Sequence, residues 1–260
     1  MKIAGKVCVI TGGASGIGRE LARRFTAEGA KGVVVADLQE GPLNEVAAEI
    51  GGKAVVTDVS DEAAIANLIR EAEAAYGPID VFCSNAGIVQ GGGEEASDAD
   101  WQRNWDIHVM AHVYAARVLA PQMAERGEGY LVNTASAAGL LTHTHSATYS
   151  VTKHACVAFA EWLSIAYGDR GVRVSVLAPQ AVRTAMTSGR EGGVASVDGM
   201  LEPAQLADTV VETMDREEFL ILPHPEVLDY MRRKTGDYDR WLGGMRRLRA
   251  KYDGRGADEV

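Results

Sequence analysis

Cysteine is scarce: the 260-residue chain has three, Cys8, Cys83 and Cys156. They fall at no metal-ligand spacing, and an odd count cannot pair completely within one chain, so neither a disulfide framework nor a zinc module is expected. Each lies in an apolar run and reads as a buried, inert thiol in a reducing compartment. Excess positive charge is also missing. Lys and Arg number 26 against 36 Asp and Glu, a formal net charge of -10, which argues against general nucleic-acid binding. Long apolar runs are absent too. The opening MKIAGKVCVI has only a four-residue apolar stretch before Thr11, too short for a signal peptide, and nothing later approaches a membrane span. A cytoplasmic protein with no membrane and no nucleic-acid partner is expected. There is no internal repeat, low-complexity segment or interdomain linker, so residues 1–260 are read as one domain.

What is present is a regular alternation. Short β-branched runs occur at residues 7–11, 33–36, 54–57, 81–84, 130–134, 173–177 and 219–222. Their apolar character is nearly continuous, as in strands covered on both faces. Amphipathic stretches such as GRELARRFTAEG, DEAAIANLIREAEAAYG and the long segment from Asp98 to Arg126 separate them. This order predicts an α/β fold, a doubly wound parallel sheet of about seven strands. Two connections are irregular. Residues 87–98 are glycine-rich and then acidic. Residues 187–200 follow the sixth strand, where ligands bind in such sheets, and read as a substrate lid.

The first strand runs into TGGASGIGRELA. Glycines at 12, 16 and 18 permit a tight turn and close backbone approach to a ligand, and a helix opening near Ile17 directs its positive end at a pyrophosphate. The second strand ends in Asp37, 19 residues beyond Gly18. An acid there accepts hydrogen bonds from adenosine ribose hydroxyls and repels a 2′-phosphate, and neither Ser15 nor Leu38 supplies a basic residue to reverse that preference. The expected cofactor is NAD. Farther along, Tyr149 and Lys153 stand four apart on one helical face. Alone, Y-x-x-x-K is a weak match.

Together with TGGASGIG (11–18), DV (58–59), NAG (85–87), Ser136 and PQAVRT (179–184), it carries a specific resemblance. The chain resembles the short-chain dehydrogenase/reductase family of the roughly 250-residue class, over residues 5 to about 222. The resemblance implies a Rossmann-like fold and assigns roles. Gly12, Ser15, Gly16, Ile17 and Gly18 hold the pyrophosphate; Asp58 and Val59 hold the adenine. Asn85, Ala86 and Gly87 line the cofactor ribose, and Pro179, Val182 and Thr184 meet the nicotinamide end. Tyr149 becomes the general acid/base. Lys153 binds the nicotinamide ribose and lowers the phenol's pKa from about 10 toward working pH. Ser136 hydrogen-bonds the substrate oxygen.

Two positions depart from that family's pattern. His108, in WDIHVMA, stands where members usually carry an asparagine. It is either a space-filling substitute for the amide or a titratable member of the proton relay. Gln180 replaces the usual glycine after Pro179. Leu140, Leu141, His143, Gln180 and Met186 are the substrate-lining candidates. The H-x-H pair His143 and His145 lacks a third ligand of suitable spacing, so no metal is expected. The resemblance also implies a homotetramer built on the helices of residues 98–126 and 149–169, with Ala155, Ala158, Phe159 and Trp162 at the contact. Residues 226–260 extend the chain as two helical stretches with an apolar stripe; nine Lys/Arg and seven Asp/Glu lie there. The expected activity is hydride transfer between NAD(H) and a mostly apolar secondary alcohol or ketone (cyclic, aromatic or steroid-like). The rival is a non-enzymatic cofactor sensor or scaffold that has kept the fold. Intact Ser136, Tyr149 and Lys153 speak against it.

Overall fold

The computed structural model describes residues 1–188 and 192–252. Residues 189–191 of the expected lid and 253–260 of the C-terminal extension lie outside the described residues. Seven strands form one parallel sheet: β1 (Val7–Thr11), β2 (Gly32–Asp37), β3 (Lys53–Val56), β4 (Val81–Ser84), β5 (Gly129–Thr134), β6 (Val172–Leu177) and β7 (Leu220–Ile221). Their order is β3-β2-β1-β4-β5-β6-β7, and every neighbouring pair is parallel. The chain therefore winds outward from β1 to β3, then crosses to β4 and winds the other way. The reversal leaves a crevice at the carboxyl ends of β1 and β4, where Thr11 and Ser84 stand.

The helices are α1 (Gly16–Ala27), α2 (Glu40–Ile50), α3 (Glu62–Tyr76), α4 (Asp98–Trp105), α5 (Ala111–Arg126), α6 (Ala138–Leu141), α7 (Ala147–Tyr167), α8 (Pro203–Arg216), α9 (Glu226–Gly236) and α10 (Tyr238–Tyr252). Alternate strand residues feed two separate cores, which explains the unbroken apolar runs. Val7, Val9, Val34 and Leu131 face Leu68 of α3, Leu119 of α5 and Ala160 of α7. Cys8, Ile10, Val33 and Val132 face Phe25 of α1, Val46 of α2 and Val210 of α8. All three cysteines are buried and free. Burial pushes the Cys83 thiol far up and that of Cys156 to about 11, so both are inert.

The segment read as one amphipathic stretch from Asp98 to Arg126 is interrupted. Asp106–Met110 forms a π-helical turn between α4 and α5. Such single-turn bulges commonly mark functional positions. His108 sits at its centre.

Residues 187–200 begin at the end of a 3₁₀ turn (Ala185–Thr187) and contain a second one (Val194–Ser196); an isolated bridge pairs Val182 with Leu201. Beyond β7, α9 docks on α6. The Lys234 ammonium donates to the Leu140 carbonyl at 2.7 Å, and Val227 packs with Ala137 and Leu141. Among the described residues no helix is long and apolar enough to cross a membrane.

Candidate active site

The crevice is one cavity of about 1380 Å³ that runs from β2 to the C-terminal helices. At one end the chain leaves β1 with Gly12 at φ +67°. A Cβ on Gly12 would stand 2.9 Å from the Ala86 Cα, and one on Gly18 would stand 2.1 Å from the Gly12 carbonyl oxygen. The turn can therefore close only with glycine at both positions. The helix that follows is open at its start. Ser15 is the N-cap of α1 but makes no side-chain cap hydrogen bond, and the first turn has no acidic residue. By contrast, α3, α4 and α7 are capped by Asp61, Ser97 and Ser146. Unmet backbone donors and the helix dipole at this cradle suit a pyrophosphate.

Asp37 closes β2 at the cavity wall. Its two carboxylate oxygens accept from the amides of Ala14, at 3.2 Å, and Gln39, at 3.1 Å, which fixes the carboxylate without neutralising it. Leu38 beside it is 63% exposed and apolar, so no cation stands there to receive a 2′-phosphate. Asp58 is held by its own turn, accepting from the Ser60 amide at 2.9 Å, and Val59 lines the cavity next to it. Asn85 links three strands. Its side chain donates to the Thr11 carbonyl at 3.0 Å and accepts from the Thr134 hydroxyl at 3.2 Å. Ala86, Gly87, Pro179, Val182 and Thr184 complete this part of the wall, with Gly12, Ser15, Gly16, Ile17 and Gly18.

At the other end stand the reactive side chains. The Ser146 hydroxyl accepts from the Tyr149 amide at 3.2 Å, which fixes where α7 begins and so where its first turns point. Tyr149 and Lys153 share one face of α7, with the Lys153 ammonium 5.6 Å from the Tyr149 ring centre. Lys153 is 3% exposed and donates to the Thr134 carbonyl at 3.0 Å. Ser136 follows β5; its hydroxyl accepts from the Ala138 amide at 3.1 Å and lines the same cavity.

His108 completes the group. Its ring meets the Tyr149 ring edge-on, with centroids 5.5 Å apart. The Ile88 amide can only donate, so at 3.1 Å His108 Nε2 must be an unprotonated acceptor. Nδ1 then carries the hydrogen and donates to the Thr152 hydroxyl, also at 3.1 Å, which passes its own hydrogen to the Thr148 carbonyl. Burial, then the Lys153 charge, holds this imidazole well below its usual pKa. A ring committed on both sides and held neutral does not change charge near neutral pH. Of the two sequence readings, this geometry favours the substitute for an amide over the titrating relay.

One lining candidate needs correction. Leu140 does not line the cavity: its side chain packs in the apolar cluster with Leu222 and Val227, whereas the neighbouring candidate Leu141 lines it together with Thr142. His143, Gln180 and Met186 do line it. His143 Nδ1 accepts from the His145 amide at 3.2 Å, and burial lowers its pKa to about 4. Among the described residues no group of three ligands could hold a metal.

A family model described as short chain dehydrogenase matches residues 6–193. The chain belongs to the short-chain dehydrogenase family. It is 36% identical over 193 residues to a 2,5-dichloro-2,5-cyclohexadiene-1,4-diol dehydrogenase from Sphingobium indicum, covering 72% of this chain and 77% of that one. It is 33% identical over 247 residues to 1-deoxy-11-beta-hydroxypentalenate dehydrogenase from Streptomyces exfoliatus, covering 91% and 90%. Among solved structures, a short chain dehydrogenase/reductase from Burkholderia phymatum in complex with NAD superposes with a TM-score of 0.83. Its identity is 31%, over 92% of this chain and 96% of that chain.

As a short-chain dehydrogenase the chain has one unforeseen feature: α9 and α10 form part of the cavity wall. Tyr230, Trp241, Met245 and Leu248 line it there. The apolar stripe in the sequence was the available signal, but it does not say which surface the stripe covers.

Proposed function

We propose that this short-chain dehydrogenase oxidises a secondary alcohol, or reduces the matching ketone, with NAD(H) as cofactor. The observation that carries the reading is a single cavity with an open glycine cradle at one end and Tyr149, Lys153 and Ser136 together at the other. Fit supports the cofactor: the cradle's glycines leave room where a Cβ would strike backbone, and Asp37 supplies an uncompensated carboxylate for ribose hydroxyls. When bound, NAD supplies the hydride acceptor, or NADH the donor. Tyr149 takes the hydroxyl proton during oxidation and returns it during reduction. The buried Lys153 ammonium stabilises the phenolate electrostatically, and Ser136 holds the substrate oxygen as charge develops on it. His108 acts through others: it anchors the Ile88 backbone and, through Thr152, the first turns of α7.

The substrate class is a cyclic or otherwise largely apolar alcohol. The relatives named above are called dehydrogenases of a cyclohexadienediol and of a hydroxypentalenate, and the cavity wall here combines Leu141, Met186, Trp241 and Met245 with His143 and Gln180. Residues 187–200 serve as its lid, and the Tyr230 hydroxyl donates to Asp198 at 2.9 Å to tie lid to α9. Assembly into a homotetramer uses α5 and α7, where Trp162 is 57% exposed and stacks on Phe159 beside Ala155 and Ala158. Free buried thiols fit a cytoplasmic setting. The test is NADH absorbance during a screen of cyclic, aromatic and steroid-like secondary alcohols. NADH production from members of one class supports the reading, and none from any class contradicts it.

A further inference from the structure

The mouth of the cavity carries charge that hydride and proton transfer do not use. Arg233 on α9 and Arg240 and Arg247 on α10 line it, and all three are exposed. Arg240 and Arg247 are seven residues apart, on one face of α10. Trp241, Met245 and Leu248 line the cavity from the same helix, so this face is turned inward. Many guanidiniums elsewhere are neutralised: Arg23, Arg24, Arg173, Arg183, Arg216 and Arg232, for example, each pair with a carboxylate. No carboxylate among the described residues forms an ion pair with any of the three at the mouth. Arg233 instead lies over the Tyr230 ring, 5.6 Å from its centre. The nearby Asp237 caps α10, accepting from the Arg240 amide at 3.0 Å.

The placement ties this charge to the reacting end. α9 is fastened to α6, the short helix directly after Ser136, by Lys234 on the Leu140 carbonyl and by Val227 against Ala137 and Leu141. The pyrophosphate cradle has its own donors at β1 and α1 and does not need these arginines. The overall charge is -10, yet residues 226–252 hold eight Lys and Arg against four Asp and Glu. That local reversal would draw an anion to a mouth that the rest of the surface repels.

Resting on the oxidoreductase reading, we propose that the substrate is an anionic alcohol or ketone. Its carboxylate or phosphate oxyanion sits between Arg240 and Arg247, with Arg233 adjoining, while its apolar body lies along Trp241 and Met245 and its carbinol reaches Tyr149. The planar guanidinium fork matches such oxyanions with paired hydrogen bonds.

The test uses the NAD-loaded protein and a panel of cyclic and aromatic hydroxycarboxylic acids, each paired with its methyl ester, plus matching hydroxyalkyl phosphates. Dissociation constants come from tryptophan fluorescence and turnover from NADH absorbance. At least one acid or phosphate is expected to bind about tenfold more tightly than its neutral counterpart, the scale of one charge-assisted hydrogen bond. That ratio should fall toward one in Arg240→Ala/Arg247→Ala, drop below one in Arg240→Glu/Arg247→Glu, and shrink with added salt. The phosphate arm tells which oxyanion is preferred. No anion preference across the panel, or a preference that survives the double substitution, overturns the proposal. NADH formed from neutral alcohols without any anion preference defeats this inference alone. Absence of NADH from every compound defeats the oxidoreductase reading, while the binding ratio still judges the arginines.

Discussion

Mild acid should destabilise this protein through its buried imidazoles, two of which, His108 and His112, also feel the charge of the buried Lys153 ammonium. His112 on α5 is 2% exposed, with Nε2 3.7 Å from the Cys156 sulfur. Burial, then the Lys153 charge, pushes its pKa down to about 3. Burial lowers His143 to about 4, and His108 is shifted the same way. In the unfolded chain each returns to about 6.5. A histidine with a lowered folded pKa contributes its full stability above the unfolded value and loses it as pH falls toward the folded one. At pH 5 the unfolded state has gained most of a proton at each of His112 and His143 while the folded state has gained almost none. The loss is about 2 kcal/mol for each of His112 and His143 relative to neutral pH. Together that is a large share of a typical folding free energy of about 5–15 kcal/mol. Carboxylates with lowered pKa values, such as Glu49 and Glu71, lose their contributions only below about 4.5, so pH 5 isolates the imidazoles. The assay is denaturant unfolding at pH 7 and pH 5, at fixed protein concentration, for wild type and His112→Gln. The variant should lose about 2 kcal/mol less on acidification. Equal losses would refute the claim that His112 is held neutral.

Other consequences follow from single contacts. Asp37→Ala removes the carboxylate that closes β2 and should shrink the preference for NAD over NADP in kcat/KM by about tenfold or more, the scale of a hydrogen bond to a charged group; an unchanged ratio would remove Asp37 from cofactor selection. His108→Asn should keep a kcat–pH profile superimposable on wild type around neutral pH, because burial and then the Lys153 charge hold the ring it replaces well below its usual pKa. His108→Leu leaves the Ile88 amide without its acceptor and should destabilise by about 1–3 kcal/mol, read by denaturant unfolding. A displaced profile in His108→Asn would restore the relay role. Lys153→Ala should weaken both NADH binding and turnover, and intact NADH affinity would contradict its contact with the cofactor ribose.

Much of this was legible because local pattern and tertiary role coincide. The strands are covered on both faces, so their apolar runs are continuous, and all seven agree with the structure to within one residue at either end. β7 keeps only Leu220–Ile221 of the run at 219–222. The cradle was legible because glycine spacing directly after a strand admits few conformations. Other features depend on contacts remote in sequence. The π-helical turn at Asp106–Met110 is not marked by the amphipathic pattern of the segment, and His108 finds its partners at Ile88 and Thr152. Leu140 and Leu141 read alike as lining residues because α6 is a single turn, too short for its periodicity to show that only Leu141 faces the cavity. The C-terminal helices reach the site through a bond between Lys234 and Leu140, 94 residues apart, which no local pattern announces.

The central claim is that Tyr149 transfers the proton. The direct measurement is Tyr149→Phe, which removes the phenolic oxygen and keeps the ring against His108. The active alcohol is followed by NADH absorbance, and NADH affinity is measured on the same preparation by fluorescence. Turnover should fall at least about a hundredfold, within the usual contribution of a general acid/base, while NADH affinity stays within about threefold of wild type. A variant that binds NADH normally and keeps more than about a tenth of wild-type turnover would contradict the assignment.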